Sequence, residues 1–408
     1  MATLSVELPV GQRHKHFAAF SILLVFALIS SFLWRNSPGD DLSSAYMACR
    51  LMASHQDASL YAHDPERFHI VRDEQWTKTA DETGFKGFLH PYVQIPLWAA
   101  ALHPLCTSMS FPTFNSVFVF VSALSVSALI FVSARFLAPG ALAAAPLLGI
   151  CLWLLASKPF RYTLYLTQSH PLVLLCVVAA LMAAERRSEI SAGLLLSFAA
   201  VIKLTPALLV VYWLATQRWR AILWFLGGCA ALCALSVALS GLDTNLAYLD
   251  NLNRISNVLL VSYNNASLAA VIMAPQYPAE VMDWRMLPLP LWLKILETIA
   301  ALALIALAGM RRKEGADEGA MVSICLIAMT AFAPIAWTHY YVMLIVPVVW
   351  LIQRKNDPRA AWGALAAIML LTLNYPSAML SRAPFYAAMI ALVAGFMLPL
   401  RHRRLSTI

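Results

Sequence analysis

Charge is scarce in this chain. Asp, Glu, Lys and Arg make up 12% of its 408 residues, about half the ~25% of an ordinary soluble domain. Hydrophobic residues make up 61%. A soluble fold of this size has no way to hide so much apolar surface, so lipid must be the solvent for most of it. Other absences narrow the function. There is no phosphate-cradling Gly-x-x-x-x-Gly-Lys loop, no dinucleotide glycine fingerprint and no zinc spacing, which argues against cytosolic nucleotide chemistry. No internal repeat suggests two inverted transporter halves. Neither of the two long polar loops is large enough for a soluble core of its own. No small-residue cleavage site follows the first apolar run, Phe17–Trp34, which reads as an uncleaved anchor behind Arg13 and Lys15. Among the seven cysteines only Cys49 lies in a long polar loop, which predicts no disulfide there. Cys229 and Cys233 share a helix face and read as soft core packing rather than metal ligands.

What is present is apolar runs, about 12 of them by the rule that ~20 apolar residues make one crossing. They fall at 17–34, 92–106, 113–136, 141–157, 170–184, 191–215, 220–240, 290–309, 319–336, 339–353, 360–374 and 384–400. Basic residues flank them at Arg13–Lys15, Arg218–Arg220, Arg311–Lys313, Arg354–Arg359 and Arg401–Arg404. Such clusters mark cytoplasmic ends, so the net charge of +8 is a topological signal and not a nucleic-acid one. One cluster disagrees. In strict alternation Glu185-Arg186-Arg187-Ser188-Glu189 falls outside, unless the 141–215 region holds broken or re-entrant helices. The run Val201-Ile202-Lys203-Leu204-Thr205-Pro206 is a candidate break, because proline removes a helix donor.

The expected architecture is therefore an all-α polytopic membrane protein, one integral domain over 1–408 in the inner or plasma membrane. Its two long loops, 35–91 and 241–289, are expected on the external side. The first holds nine of the chain's 21 acids. It opens with a helix signal: Ser37 or Asp40 as cap, then Leu42, Ala45, Tyr46, Cys49 and Ala53 at helical spacing. This predicts an amphipathic helix lying on the membrane surface.

Several residues break the apolar pattern in ways that carry chemistry. Asp40 and Asp41 stand just past the first span. A carboxylate there can act as general base toward a hydroxyl, although acids at a helix start also serve as caps. Lys203 is the only charge between Glu189 and Arg218, and a lysine within a span usually faces a cavity, a partner or an anionic lipid phosphate. His339, in Trp337-Thr338-His339-Tyr340-Tyr341, can hydrogen-bond a phosphate or relay a proton, in a run that also reads as an interfacial aromatic belt. Asn265 and Ser267, with Arg254 nearby, have groups suited to sugar hydroxyls. Asn265-Ala266-Ser267 also matches a glycosylation acceptor, a pattern frequent by chance. Gln168 and His170 form a further polar group with Arg161, and His90-Pro91 reads as a helix start.

Taken together, these segments resemble glycosyltransferase family 87, the polyprenol-phosphate-mannose-dependent group with the GT-C membrane fold. The residues that carry the resemblance are Asp41-Leu42 through Leu60-Tyr61, Phe88-Leu89-His90-Pro91, Thr167-Gln168-Ser169-His170, Arg186-Arg187, Ala192-Gly193, Lys203-Leu204-Thr205-Pro206, Asn265-Ala266-Ser267-Leu268 and Trp337-Thr338-His339. The resemblance implies transfer of a sugar from a polyprenyl-phosphate donor to a lipid-linked or envelope glycan, with inversion, on the external face. Asp41 would be the base, and Lys203 and His339 would hold the departing phosphate. Asp40, His90, Gln168, His170, Arg254, Asn265 and Ser267 would contact substrates. His90 stands where the family tends to have Tyr, and His170 where it tends to have Asn. The donor sugar is thus mannose or another hexose or pentose. No cofactor is implied, and the need for a divalent metal stays open. The competing class is a polytopic transporter or lipid flippase of the cell envelope.

Overall fold

A computed structural model describes residues 10–62, 67, 70–262, 264–276, 285–354, 356–373 and 383–397. Among these, four helices are long and apolar enough to cross a membrane alone: His14–Trp34, Phe111–Phe136, Trp219–Ser240 and Leu291–Lys313. The other apolar helices are shorter, and the expectation of about 12 comparable spans gives way to a mixture of long helices and short ones.

Helix α1 (Val10–Trp34) is followed by α2 (Asp40–Ala53), α3 (Glu74–Thr83), α4 (Pro96–Ser108) and α5 (Phe111–Phe136). α1 and α5 pack antiparallel. The Ser127 hydroxyl donates to the Leu23 carbonyl (3.0 Å) and the Ser116 hydroxyl to the Arg35 carbonyl (2.9 Å). In an apolar medium such hydroxyl-to-backbone bonds tie neighbouring helices. The end of α1 and the start of α5 are therefore at the same end of the bundle. All of 35–110 begins and ends there, so α4 is not a crossing. Its 13 residues make a helix of about 20 Å, short of a ~30 Å hydrocarbon core. The span expected over 92–106 is corrected on both grounds.

That correction explains another. α4 packs on α2, and a Cys49–Cys106 disulfide joins them with Cα atoms 6.4 Å apart. Cys49 has its partner because the apolar run carrying Cys106 stays beside the polar loop. α2 is covered on more than one side, beyond the single apolar face that its spacing predicts. Nine of its 14 residues are buried, Tyr46, Met47, Cys49 and Leu51 among them, against α3, α4, α5 and α7. α3 starts at Asp73, whose carboxylate accepts from Gln75 N and Trp76 N, and stops at Gly84 in the left-handed region (φ 65°).

α6 (Ala144–Ala156), α7 (Lys158–Leu166) and α8 (His170–Glu185) come next. α7 and α8 meet at a bend of 117°. Thr167 takes a left-handed backbone at the corner (φ 53°), and Pro171 opens α8, where its missing N–H costs nothing. α9 (Glu189–Ile202) ends where Lys203 turns extended (φ −141°, ψ 124°). A 3-10 turn over Thr205–Leu209 then leads to α10 (Val210–Ala215). The break thus comes at Lys203-Leu204, with Pro206 opening the turn. Arg218, past α10, pairs with Glu189 at the start of α9 (3.4 Å) and with Glu185 (3.6 Å). Both ends of the 189–218 segment therefore meet, and it is a hairpin rather than the single span expected over 191–215.

α11 (Trp219–Ser240) and α12 (Leu242–Ile255) lead to strand β1 (Val258–Val261), α13 (Leu268–Met273) and β2 (Arg285–Pro288). β1 and β2 pair antiparallel, Val258 opposite Pro288 and Val261 opposite Arg285. This two-stranded ribbon and an isolated antiparallel bridge between Asn265 and Trp337 depart from all-α among the described residues. α14 (Leu291–Lys313), α15 (Glu318–Ala331), a 3-10 stretch over Thr338–Leu344, α16 (Ile345–Gln353), α17 (Pro358–Thr372) and α18 (Ala383–Met397) complete the chain.

The Glu185–Glu189 cluster joins the other basic turns. Glu185 takes Arg312 (3.0 Å) as well as Arg218, and accepts from the Tyr212 hydroxyl (3.2 Å). Glu318 takes Arg186 (3.5 Å) and Arg312 (3.6 Å). Arg186, Arg218 and Arg312 therefore lie at one end of the bundle, and the hairpin removes the disagreement in the charge pattern. Arg401–Arg404 lie outside the described residues.

Candidate active site

The site lies at the other end of α8, about 24 Å away by helix rise over its 16 residues. It begins with Gly39. Its φ of 60° is left-handed, and its N–H donates to the Tyr165 carbonyl (3.2 Å). A side chain there would overlap Asn115. Asn115 is itself fixed, donating to the Ser37 carbonyl (2.7 Å) and accepting from the Thr167 hydroxyl (2.7 Å). The entry to α2 is thus clamped to the α7–α8 corner. Gly39 is the cap residue of α2, and no side chain caps the helix. This corrects the expected Ser37 or Asp40 cap and leaves both first-turn carboxylates outside a capping role.

Asp41 points at the corner. The Gln168 side chain donates to its Oδ2, while the Gln168 carbonyl accepts from Ser122 (2.9 Å). Burial pushes the Asp41 carboxyl up to about 6 from an ordinary 3.8, against the Gln168 hydrogen bond and the positive charge of Lys203. A carboxylate so poised is mostly ionised at neutral pH and still a competent proton acceptor. Asp40 lies on the other side of the helix start. Its pKa is raised by burial and by Asp41, and pulled back by His90; the His90 pKa is lowered by burial and sustained by Asp40. The ring of the exposed Phe88 stands 6.3 Å from that of His90.

Lys203, freed from helix geometry, places its ammonium 4.2 Å from the centre of the Tyr340 ring. His170 stacks on the same ring at 4.6 Å and 18°, and His339 meets it edge-on at 4.9 Å. Asp41, Gln168, Lys203 and Tyr340 are partly open to the exterior of the protein. His170 and His339 are buried behind them at 2% and 1% exposure. Their four ring nitrogens have no hydrogen-bond partner among the described residues. A narrow cavity lined by His170, Lys203, Thr205, Val173, Leu174 and Met329 runs beneath. Among the described residues no three of His, Cys, Asp and Glu come together as a metal site.

Not every expected residue joins this group. Asn265 is fully buried; it accepts from Ser267 N (3.1 Å) and Ala336 N (2.9 Å) and donates to the Leu260 carbonyl (2.6 Å). The Ser267 hydroxyl accepts from Ala270 N (3.2 Å). Their polar groups hold the chain itself, and the fully buried Asn265 amide is no glycosylation acceptor. Their effect is nonetheless local to the site. With Thr338 N donating to the Asn264 carbonyl (2.9 Å), they fix the segment that carries His339 and Tyr340. Arg254 pairs with Asp250 on α12 (3.5 Å) and is not brought to Asp41. Two residues that sequence reasoning did not single out, Asn115 and Tyr340, hold the site. The aromatic run around His339 contained the signal for Tyr340, read as an interfacial belt.

Residues 96–334 match glycosyltransferase family 87. The matched segment contains Gln168, His170 and Lys203 but neither Asp41 nor His339. Two similar proteins carry the name polyprenol-phosphate-mannose-dependent alpha-(1-2)-phosphatidylinositol pentamannoside mannosyltransferase. The protein from Mycobacterium tuberculosis is 26% identical over 60% of this chain and 56% of its own length. That from Mycolicibacterium smegmatis is 26% identical over 58% of each. The chain thus spans little more than half the length of these relatives.

Proposed function

The chain belongs to glycosyltransferase family 87, and from that premise we propose that it transfers a sugar from a polyprenyl-phosphate donor to a hydroxyl of a lipid-linked or envelope glycan. Mannose is the first sugar to test, since both relatives are named for it. The observation that carries the reading is the meeting of the Asp41 carboxylate, Gln168 and Lys203 in one partly open group. Asp41 takes the proton of the acceptor hydroxyl. The acceptor oxygen attacks the anomeric carbon in line, the bond from that carbon to the phosphate oxygen breaks, and configuration inverts. The phosphate leaves with the bonding pair, stabilised by Lys203 with His339 behind it. A phosphate is a good leaving group, so no strong general acid is required. Much of the acceleration comes from aligning two lipid-anchored substrates. Asp40 and His90, beside the base, face the acceptor side.

The GT-C fold and an external site belong to the same reading. Two observations support the orientation. The Cys49–Cys106 disulfide lies on α2, the helix that carries Asp41, and disulfides persist in oxidising compartments. The basic turns gather at the opposite end of α8 and α9, as cytoplasmic ends do.

The test is Asp41→Asn in proteoliposomes supplied with polyprenyl-phosphate-mannose and a glycolipid acceptor. The variant should fold, bind donor, and lose about 10²- to 10⁴-fold in transfer, the usual worth of a general base. Near-normal transfer by a folded variant removes Asp41 from that role.

A further inference from the structure

His170 and His339 both flank the Tyr340 ring, and Lys203 stands by the same ring, which makes Tyr340 the common neighbour of all three. Lys203 is the first residue past a helix break, on a stem of four methylenes whose free rotation costs about 2 kcal/mol to fix. What stands by its ammonium is the Tyr340 ring at 4.2 Å. That ring is unusually well fixed. His170 stacks on it at 4.6 Å and His339 abuts it at 4.9 Å. Tyr340 N donates to the Trp337 carbonyl (2.8 Å), and Thr338 is pinned to Asn264.

Resting on the proposed transfer reaction, we infer that Tyr340 is a positioning residue of the donor-phosphate site, its ring holding the Lys203 ammonium where the lipid phosphate arrives. An ammonium over an aromatic face is attracted by the ring quadrupole and stays a free donor toward an incoming anion. His170 and His339 pack against the ring that holds the lysine.

The test reads affinity for a polyprenyl monophosphate without sugar, on the full chain in nanodiscs, for wild type, Tyr340→Phe, Tyr340→Leu, Lys203→Ala and the Lys203→Ala/Tyr340→Leu double variant. Tyr340→Leu should weaken binding about tenfold, within the range of a partly desolvated cation–ring contact. Tyr340→Phe, which keeps the ring, should stay within about threefold of wild type. In the Lys203→Ala background, Tyr340→Leu should add nothing further, because its effect runs through the lysine. The KM for acceptor should not move in either Tyr340 variant. Wild-type affinity in Tyr340→Leu, or a full loss repeated in the Lys203→Ala background, overturns the inference while leaving the transferase reading in place. A wild-type protein that binds no polyprenyl phosphate overturns both. Should Tyr340→Leu not purify folded, Tyr340→Met carries the same comparison.

Discussion

Replacing Gln168 by Met keeps the volume of the side chain and removes the donor that Asp41 Oδ2 accepts. A hydrogen bond to a charged group contributes about 1.5–3 kcal/mol, which is about 1–2 pH units on the carboxyl. The Asp41 pKa, at about 6 in the intact protein, should move to roughly 7–8. The base must be unprotonated to work, so the acidic limb of the pH–rate profile should move to higher pH by the same amount. At pH 7 the ionised fraction falls from about 90% to between about one half and one tenth, a loss of about two- to tenfold that should vanish near pH 9. The assay is kcat/KM for acceptor in proteoliposomes from pH 5 to pH 9, at saturating donor. Stability should move the opposite way. The folded state raises this carboxyl from its ordinary 3.8 to about 6. Its stabilising contribution is therefore present below 3.8 and lost as pH rises through about 6, so the wild-type protein gains activity where it loses stability. A Gln168→Met profile lowered equally at every pH would refute the reasoning, since it would mean that Gln168 positions substrate without acting on the base. A wild-type profile with no limb between pH 5 and 7 would remove Asp41 from proton transfer altogether.

Other regions of the site yield separate expectations. Cys49→Ser/Cys106→Ser, or prior reduction, should lower the unfolding temperature of the purified protein by several degrees; closing a loop of 57 residues is worth about 4 kcal/mol at most by chain entropy. Two alkylatable thiols at these positions in the untreated protein would contradict the pairing. Gly39→Ala places a side chain in a left-handed backbone and against Asn115, a strain of about 1–3 kcal/mol. It should therefore impair transfer more than donor binding, because α2 carries Asp41. Unchanged turnover in a folded Gly39→Ala protein would show that the entry to α2 tolerates the shift.

Much of the fold and part of the site were legible before any geometry. Composition established the lipid solvent, because apolar content is a bulk property that no tertiary detail reverses. Asp41, Gln168, His170, Lys203 and His339 stand out because each lies at the edge of an apolar run or, for Lys203, inside one, and the structure brings the five into one region. What was illegible had a common physical cause. Hydropathy reports how apolar a run is and says nothing of where it travels, so α4 read as a crossing although it stays at one end, and its cysteine lost its partner in consequence. The 191–215 run counts as one span by hydropathy, while its Lys203 and Pro206 mark the candidate break at which the structure turns it back. The structural bonds of Asn265 and Ser267 were illegible, because an amide that satisfies backbone groups looks, in sequence, like one that awaits a sugar. Helix periodicity showed which residues of α2 share a face, but not that neighbours would cover most of the others as well.

The site coincides with the irregular backbone, and lipid supplies the reason. In hydrocarbon an N–H or carbonyl outside a helix must find a protein partner or line a cavity. This chain leaves regular structure at Gly39, at Thr167, at Lys203 and at Trp337-Thr338, and three of these four places are tied to distant segments. Gly39 N–H goes to Tyr165, the Thr167 hydroxyl to Asn115, Thr338 N–H to Asn264, and Ala336 N–H to Asn265. Segments far apart in sequence are thereby held together by backbone groups with nowhere else to go. The side chains at those interruptions, Asp41, Gln168, Lys203 and Tyr340, are brought together as a consequence. Each is one residue or a few from the break that places it. A substitution that restores regular helix at Gly39, Thr167 or Trp337-Thr338 should therefore loosen the segment tied to it before it disturbs the long helices, and loss of transfer should precede loss of fold.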